Sequence, residues 1–95
     1  HEMTTRKTKA LVYGSVQGVY FRYHTKLMAD RLGLSGWVRN RPDGTVEAYF
    51  CGQDSDVTKI IEWLHSGPET AVVDKVDVEE IDTEELQAHD FIIKS

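Results

Sequence analysis

Apolar and polar positions change their period several times along this 95-residue chain, and each change marks an element. Residues 8–14, "TKALVYG", set Ala10 and Val12 against Leu11 and Tyr13, the alternation expected of a strand. From Phe21 the period turns helical. Phe21, Thr25, Met28, Ala29 and Leu32 share one face, and Gly33 stands where a helix C-terminus favours glycine. "LSGWVRN" (34–40) and "TVEAYFC" (45–51) read as two further strands. Between them "RPDG" (41–44) joins a proline that presets φ to a glycine that tolerates positive φ, which predicts a hairpin-type turn. Val57, Ile60, Ile61 and Leu64 line one stripe of a second helix, with Asp54 or Ser55 as N-cap and Gly67-Pro68 as its stop. Val76 and Val78 mark a fourth strand, and "FII" (91–93) a short last one.

Ahead of that short last strand, the order βαββαβ predicts an α+β chain, a split βαβ two-layer sandwich with two helices on one face of an antiparallel sheet. The length suits a single domain over residues 4–95 with one core. His1-Glu2 ahead of Met3 reads as a cloning remnant, so residues 1–3 stay outside the functional reading.

Composition adds exclusions. Hydrophobic residues at 40% and charged residues at 28% are ordinary for a globular domain. A lone cysteine, Cys51, rules out an intramolecular disulfide and a zinc site of paired cysteines, and it fits a reducing, cytoplasmic setting. The chain carries neither an apolar run long enough to span a bilayer nor a signal-peptide pattern, so no membrane partner is expected. Its net charge of −5 divides unevenly: residues 1–53 carry +4 and residues 54–95 carry −9. An acidic chain is a poor general nucleic-acid ligand, whereas a locally positive first half can attract a small anion.

The basic half holds "GSVQGVYFR" (14–22), which runs from the end of a strand into the start of a helix. Such a turn aims several backbone N–H groups at one point and adds the positive end of the helix dipole. Helix first turns usually welcome acidic residues, yet "FRYHTK" (21–26) has none. Arg22 adds a planar, permanently charged fork suited to phosphate oxygens. The familiar nucleotide loops are excluded by spacing, since Gly14 and Gly18 are four apart and Val19 follows. A turn of this kind can also bind nothing at all.

"GSVQGVYFR" taken with "GWVRNRPDGTVEAYFCG" (36–52) resembles the two signatures of the acylphosphatase family, in their order and spacing. The element order, "WLHSGP" (63–68) and the closing strand extend the resemblance along the chain. It implies a ferredoxin-like sandwich that hydrolyses small acyl phosphates to carboxylate and inorganic phosphate without metal or cofactor. By that resemblance the phosphate loop falls on Ser15, Val16, Gln17, Gly18, Val19, Tyr20 and Phe21, acting through main-chain N–H groups. The catalytic arginine falls on Arg22 and the catalytic asparagine on Asn40. Candidate substrates are 1,3-bisphosphoglycerate, carbamoyl phosphate and acetyl phosphate, with phosphate or sulfate as competing anions, and a monomer is expected. Physically, Asn40 can orient a water through its amide, while Arg22 and the N–H cradle stabilise charge on the phosphoryl group.

Other readings compete for single features. Arg22 can snorkel at a helix start and Asn40 can cap a turn. His24 lies two residues beyond Arg22, and helix positions two apart face different ways, which argues against a phosphohistidine. "DSDVT" (54–58) matches the D-x-D-x-T of aspartate-nucleophile phosphatases, but acidic residues opening a helix explain it. Cys51 has no downstream arginine at cysteine-phosphatase spacing. Glu79, Glu80, Asp82, Glu84 and Glu85 read as a solvated face, and His65 and His89 as solvated side chains. An RNA-binding βαββαβ domain needs exposed aromatics and a basic sheet, which "TVEAYFC" and the net charge do not favour. A binding or accessory module without turnover is the alternative to an enzyme. The sequence also leaves open whether the Ser95 carboxylate approaches Arg22.

Overall fold

A computed structural model describes residues 5–81 and 90–94. His89, the distal carboxylates Asp82, Glu84 and Glu85, and Ser95 lie outside the described residues, as does the remnant proposed at residues 1–3. The elements are β1 (Thr5–Ser15), α1 (Phe21–Leu32), β2 (Ser35–Asn40), β3 (Val46–Gln53), α2 (Asp54–Ser66), β4 (Val72–Glu80) and β5 (Phe91–Ile93). Every element read from periodicity is present.

The strands form one sheet in the order β4-β1-β3-β2-β5. β1 pairs antiparallel with β3 and β4, and β2 pairs antiparallel with β3. β5 pairs parallel with β2, so the sheet is mixed rather than wholly antiparallel. The reason is topological. β5 lies at the far edge from β4 and takes the direction of its one neighbour, β2.

Register decides which side chains meet the helices. Directly opposed residues share a face, so Thr8, Ala10 and Val12 of β1 lie with Phe50, Ala48 and Val46 of β3. Those in turn lie with Gly36, Val38 and Asn40 of β2. Both helices cover this face, α1 over β2 and β5, and α2 over β4, β1 and β3. Ala10, Val12, Val38, Ala48 and Phe50 there are fully buried against Phe21, Ala29, Val57, Ile60 and Leu64. Phe50 and Phe91 stack at 5.6 Å between ring centroids, which ties β5 into the same core. On the opposite face, Glu47 is buried with its carboxylate 2.6 Å from the Arg39 guanidinium. Cys51 belongs to that opposite face and is half-buried.

One boundary differs from the expected one. The N-cap of α2 is Gln53, and Asp54 and Asp56 open the first turn without a side-chain cap bond. Asp54 is turned instead towards Arg6, whose Nη1 donates to its Oδ1 at 3.3 Å. The guanidinium of Arg6 also binds Glu80 and Thr58, so it competes with the helix amides for the Asp54 carboxylate.

Candidate active site

β1 ends at Ser15, which pairs with Val72 of β4, and α1 begins at Phe21. The residues between them turn the chain back over the end of the sheet. Val16 is buried in the core and Gly18 takes φ 76°, so the loop is held at one end and bent where no side chain intervenes. Tyr20 occupies the N-cap of α1 in the left-handed region, with φ 63° and ψ 22°. A residue with a side chain resists that conformation by about 1–2 kcal/mol.

The start of α1 is left open to an anion. It has no side-chain cap bond and no acidic residue in its first turn. The first helical bond runs from the His24 amide to the Tyr20 carbonyl at 3.0 Å. The amides of Phe21, Arg22 and Tyr23 therefore precede the helix's own acceptors. Phe21 anchors this turn in the core, with its ring 5.7 Å from that of Trp63.

Three of the expected loop residues are tied to neighbouring segments. Ser15 is fixed by pairing with Val72. Gln17 donates through Nε2 to the carbonyls of Arg41 and Thr45, each at 2.8 Å, which straps the loop to the β2–β3 turn. The Val19 carbonyl accepts from Thr70 Oγ1 at 2.8 Å, which straps it to the segment before β4.

Val16, Gly18, Tyr20 and Phe21 line a cavity of about 320 Å³ together with Arg22, Tyr23, Asn40 and Ile93. Arg22 and Asn40, 18 positions apart in sequence, are thus brought to one space. Asn40 ends β2 on the helix-covered face, in line with Val38. Its Oδ1 is buried and has no hydrogen-bond partner among the described residues. Buried polar atoms are nearly always satisfied, so an open acceptor at a cavity wall points to a ligand or water there. Arg22 donates from Nη1 to the Lys94 carbonyl at 3.3 Å, which leaves the rest of the fork for another acceptor.

Tyr23, Ile93 and the Lys94 carbonyl were not singled out from the sequence. Tyr23 carried a weak signal, as the residue after Arg22 in the same helical turn. Ile93 and Lys94 carried none, because only the parallel pairing of β5 with β2 brings them beside α1. His24 lines a separate groove with Leu27, Met28 and Trp63. "DSDVT" lies at the start of α2, and among the described residues no three of His, Cys, Asp or Glu are grouped to hold a metal ion. No helix among the described residues is long and apolar enough to cross a membrane.

The model of the acylphosphatase family matches residues 8–93. An acylphosphatase of Acaryochloris marina is 50% identical over 84 residues, which span 88% of this chain and 90% of that protein. The crystal structure of acylphosphatase from Bacillus subtilis superposes with a TM-score of 0.89 at 34% identity, covering 95% of this chain and 99% of the other. The structure of an acylphosphatase from Coxiella burnetii gives 0.87 at 38% identity, over 95% and 93% of the two chains. Sequence and ferredoxin-like fold agree along nearly the whole domain, and the chain belongs to the acylphosphatase family.

Proposed function

We propose that the chain is an acylphosphatase that hydrolyses the carboxyl–phosphate bond of small acyl phosphates, with Arg22 and Asn40 as its catalytic residues. The observation that carries this reading is the meeting at one cavity of Arg22 and the Asn40 Oδ1, which has no partner among the described residues. The phosphoryl group sits against the uncapped start of α1, held by main-chain N–H groups of residues 15–21 and by the Arg22 fork. Asn40 accepts from a water and orients its oxygen towards phosphorus. The P–O bond to the acyl group breaks as the bond to water forms, and the acyl group leaves as carboxylate. That leaving group is weakly basic, so it needs no proton from a side chain. The water's proton passes to a phosphoryl oxygen or to solvent. Positioning and preorganised dipoles supply the catalysis, as phosphoryl transfer through a loose transition state requires.

The reading takes the enzyme as monomeric, cytoplasmic and independent of metal or cofactor, with inorganic phosphate and sulfate as competitors. Its test is phosphate release from acetyl and benzoyl phosphate, with and without EDTA. Turnover that survives EDTA and is inhibited competitively by phosphate is expected. Binding without turnover would make the chain an accessory module instead. Turnover lost to EDTA and restored by Mg²⁺ would point back to "DSDVT".

A further inference from the structure

Gly18 and Tyr20 line the cavity, and Val19 between them does not. The Val19 side chain packs against the core. Its carbonyl accepts from Thr70 Oγ1 at 2.8 Å. Thr70 lies off the cavity, in the separate groove with His24, Leu27 and Trp63. The Val19 oxygen is therefore drawn towards that groove and away from the phosphoryl site.

One peptide plane joins this carbonyl to the Tyr20 amide. No peptide bond among the described residues is cis, and a trans unit holds its C=O and N–H on opposite sides. With the oxygen turned to Thr70, the Tyr20 N–H is turned to the cavity. It has no backbone acceptor among the described residues. A main-chain donor calls for an acceptor, and an anion in the cradle supplies one.

The plane is held against a local preference. Tyr20 takes φ 63°, in the left-handed region that a residue with a β-carbon resists. Turning the Val19–Tyr20 peptide over, by opposite rotations of Val19 ψ and Tyr20 φ, would return φ to the negative range. It would also present a carbonyl oxygen to the phosphoryl group in place of an N–H. A bond to the Val19 oxygen opposes that turn, and Thr70 makes it. Thr70 itself stands on a firm base. The Ala71 amide donates to the Pro68 carbonyl at 3.0 Å, which closes the turn that carries Thr70. Just before it, a Cβ on Gly67 would come within 2.9 Å of the Phe21 ring, so this segment lies directly against the start of α1.

We infer that Thr70 is a positioning residue of the phosphate cradle: by holding the Val19 carbonyl it keeps the Tyr20 N–H aimed at the phosphoryl group. The inference rests on the acyl phosphate reading above, but its test needs only an anion.

That test is a titration with inorganic phosphate, followed by NMR of the backbone amides, on the parent, Thr70→Val and Thr70→Ser. Rates on acetyl phosphate are measured alongside. Thr70 is exposed, so the near-isosteric valine removes the hydroxyl with little effect on folding. In the parent the Tyr20 amide proton should move downfield at saturation, as a charge-assisted hydrogen bond forms. In Thr70→Val that shift should be largely lost. The Kd for phosphate should rise about tenfold, because the left-handed penalty then favours the turned-over plane by roughly that ratio. The kcat/KM for acetyl phosphate should fall by a similar factor. Thr70→Ser keeps the donor and should restore both shift and affinity. A threonine that only braces the fold would lower the melting temperature of Thr70→Val and leave the Tyr20 shift in place, which overturns the inference. A parent in which phosphate moves other loop amides and not Tyr20 overturns it as well, whatever the turnover. A Tyr20 amide that answers phosphate and depends on Thr70, in a chain without turnover, supports the positioning and overturns the hydrolase reading alone.

Discussion

Gln17 and Thr45 are joined by a 2.8 Å hydrogen bond from the side-chain amide of one to the main-chain carbonyl of the other. The same nitrogen also donates to the Arg41 carbonyl, so one side chain spans both ends of the turn that follows Asn40. Loop and strand end are thereby held in one geometry. Both carbonyls keep a second donor, from Gly44 and Arg41, so Gln17→Ala should cost only about 1–2 kcal/mol in urea unfolding. Its kcat/KM should fall by roughly tenfold or more, because small misplacements of catalytic groups are expensive. Gln17→Glu should be worse on both counts, since a carboxylate would face two carbonyls and add negative charge beside the cradle. A glutamate variant as stable and active as the parent would remove the strap from the mechanism.

Arg22→Lys should lose most activity although it keeps the charge. The guanidinium can give one N–H to Lys94 and still offer a planar pair to phosphate, which a lysine ammonium cannot reproduce. Loss of a transition-state donor of this kind costs roughly 3–4 kcal/mol, or about 10²–10³ in kcat. Steady-state rates on a variant with native circular dichroism check it, and near-native turnover would exclude Arg22.

Asn40→Asp separates two mechanisms with an almost isosteric change. An aspartate could act as a general base, and the rate would then hold or rise. If Asn40 orients water beside an anionic phosphoryl group, the added charge repels the substrate. Two like charges ~4 Å apart repel by about 4 kcal/mol at an effective dielectric near 20. A folded variant slowed by ~100-fold or more is expected. Turnover within a few-fold of the parent would exclude the role.

Gly14→Ala should damage folding far more than Gly18→Ala. Gly14 takes φ 131° at the bulge where β1 pairs with β4, and a Cβ there would overlap the Val72 carbonyl oxygen. That oxygen belongs to a paired strand and cannot yield cheaply, so a loss of about 3 kcal/mol or more is expected. A Cβ on Gly18 meets nothing within 4 Å, which leaves only the left-handed penalty of about 1–2 kcal/mol. Thermal unfolding of the two variants compares them directly, and equal midpoints would refute the overlap.

Stability should respond to acid through Glu80. The Arg6 guanidinium, 2.7 Å from its carboxylate, holds the Glu80 pKa below its ordinary 4.5. The folded state therefore favours the charged form. This contribution is full above pH 4.5 and fades as the pH falls below that value towards the depressed one. The Glu80 side chain is more than half exposed, so the pair is worth up to ~1 kcal/mol. Glu80→Gln should be less stable than the parent at pH 7, with the two converging in acid. A gap that stays constant from pH 7 to pH 3 would assign the effect to packing.

Local chemistry was enough to place every strand and helix, because each rests on a period that neighbours in sequence impose: Ala10 and Val12 in β1, Phe21 to Leu32 in α1, Val57 to Leu64 in α2. The acid-free helix start with its glycine turn was legible in the same way, since dipole and amides belong to one short segment. The N-cap of α2 was not, because Asp54 answers to Arg6, which is distant in sequence. Tertiary structure alone decided which side chains share the cavity. Asn40 reaches it because the β2–β3 register puts it on the face of Val38, and a slip of one residue would have turned it away. Ile93 and the Lys94 carbonyl reach it because β5 adds parallel to β2, a pairing that leaves no periodic trace in the sequence. Periodicity reports the face a residue presents to its own element. The partner across the gap is set by register and strand order, which depend on the whole chain packing at once.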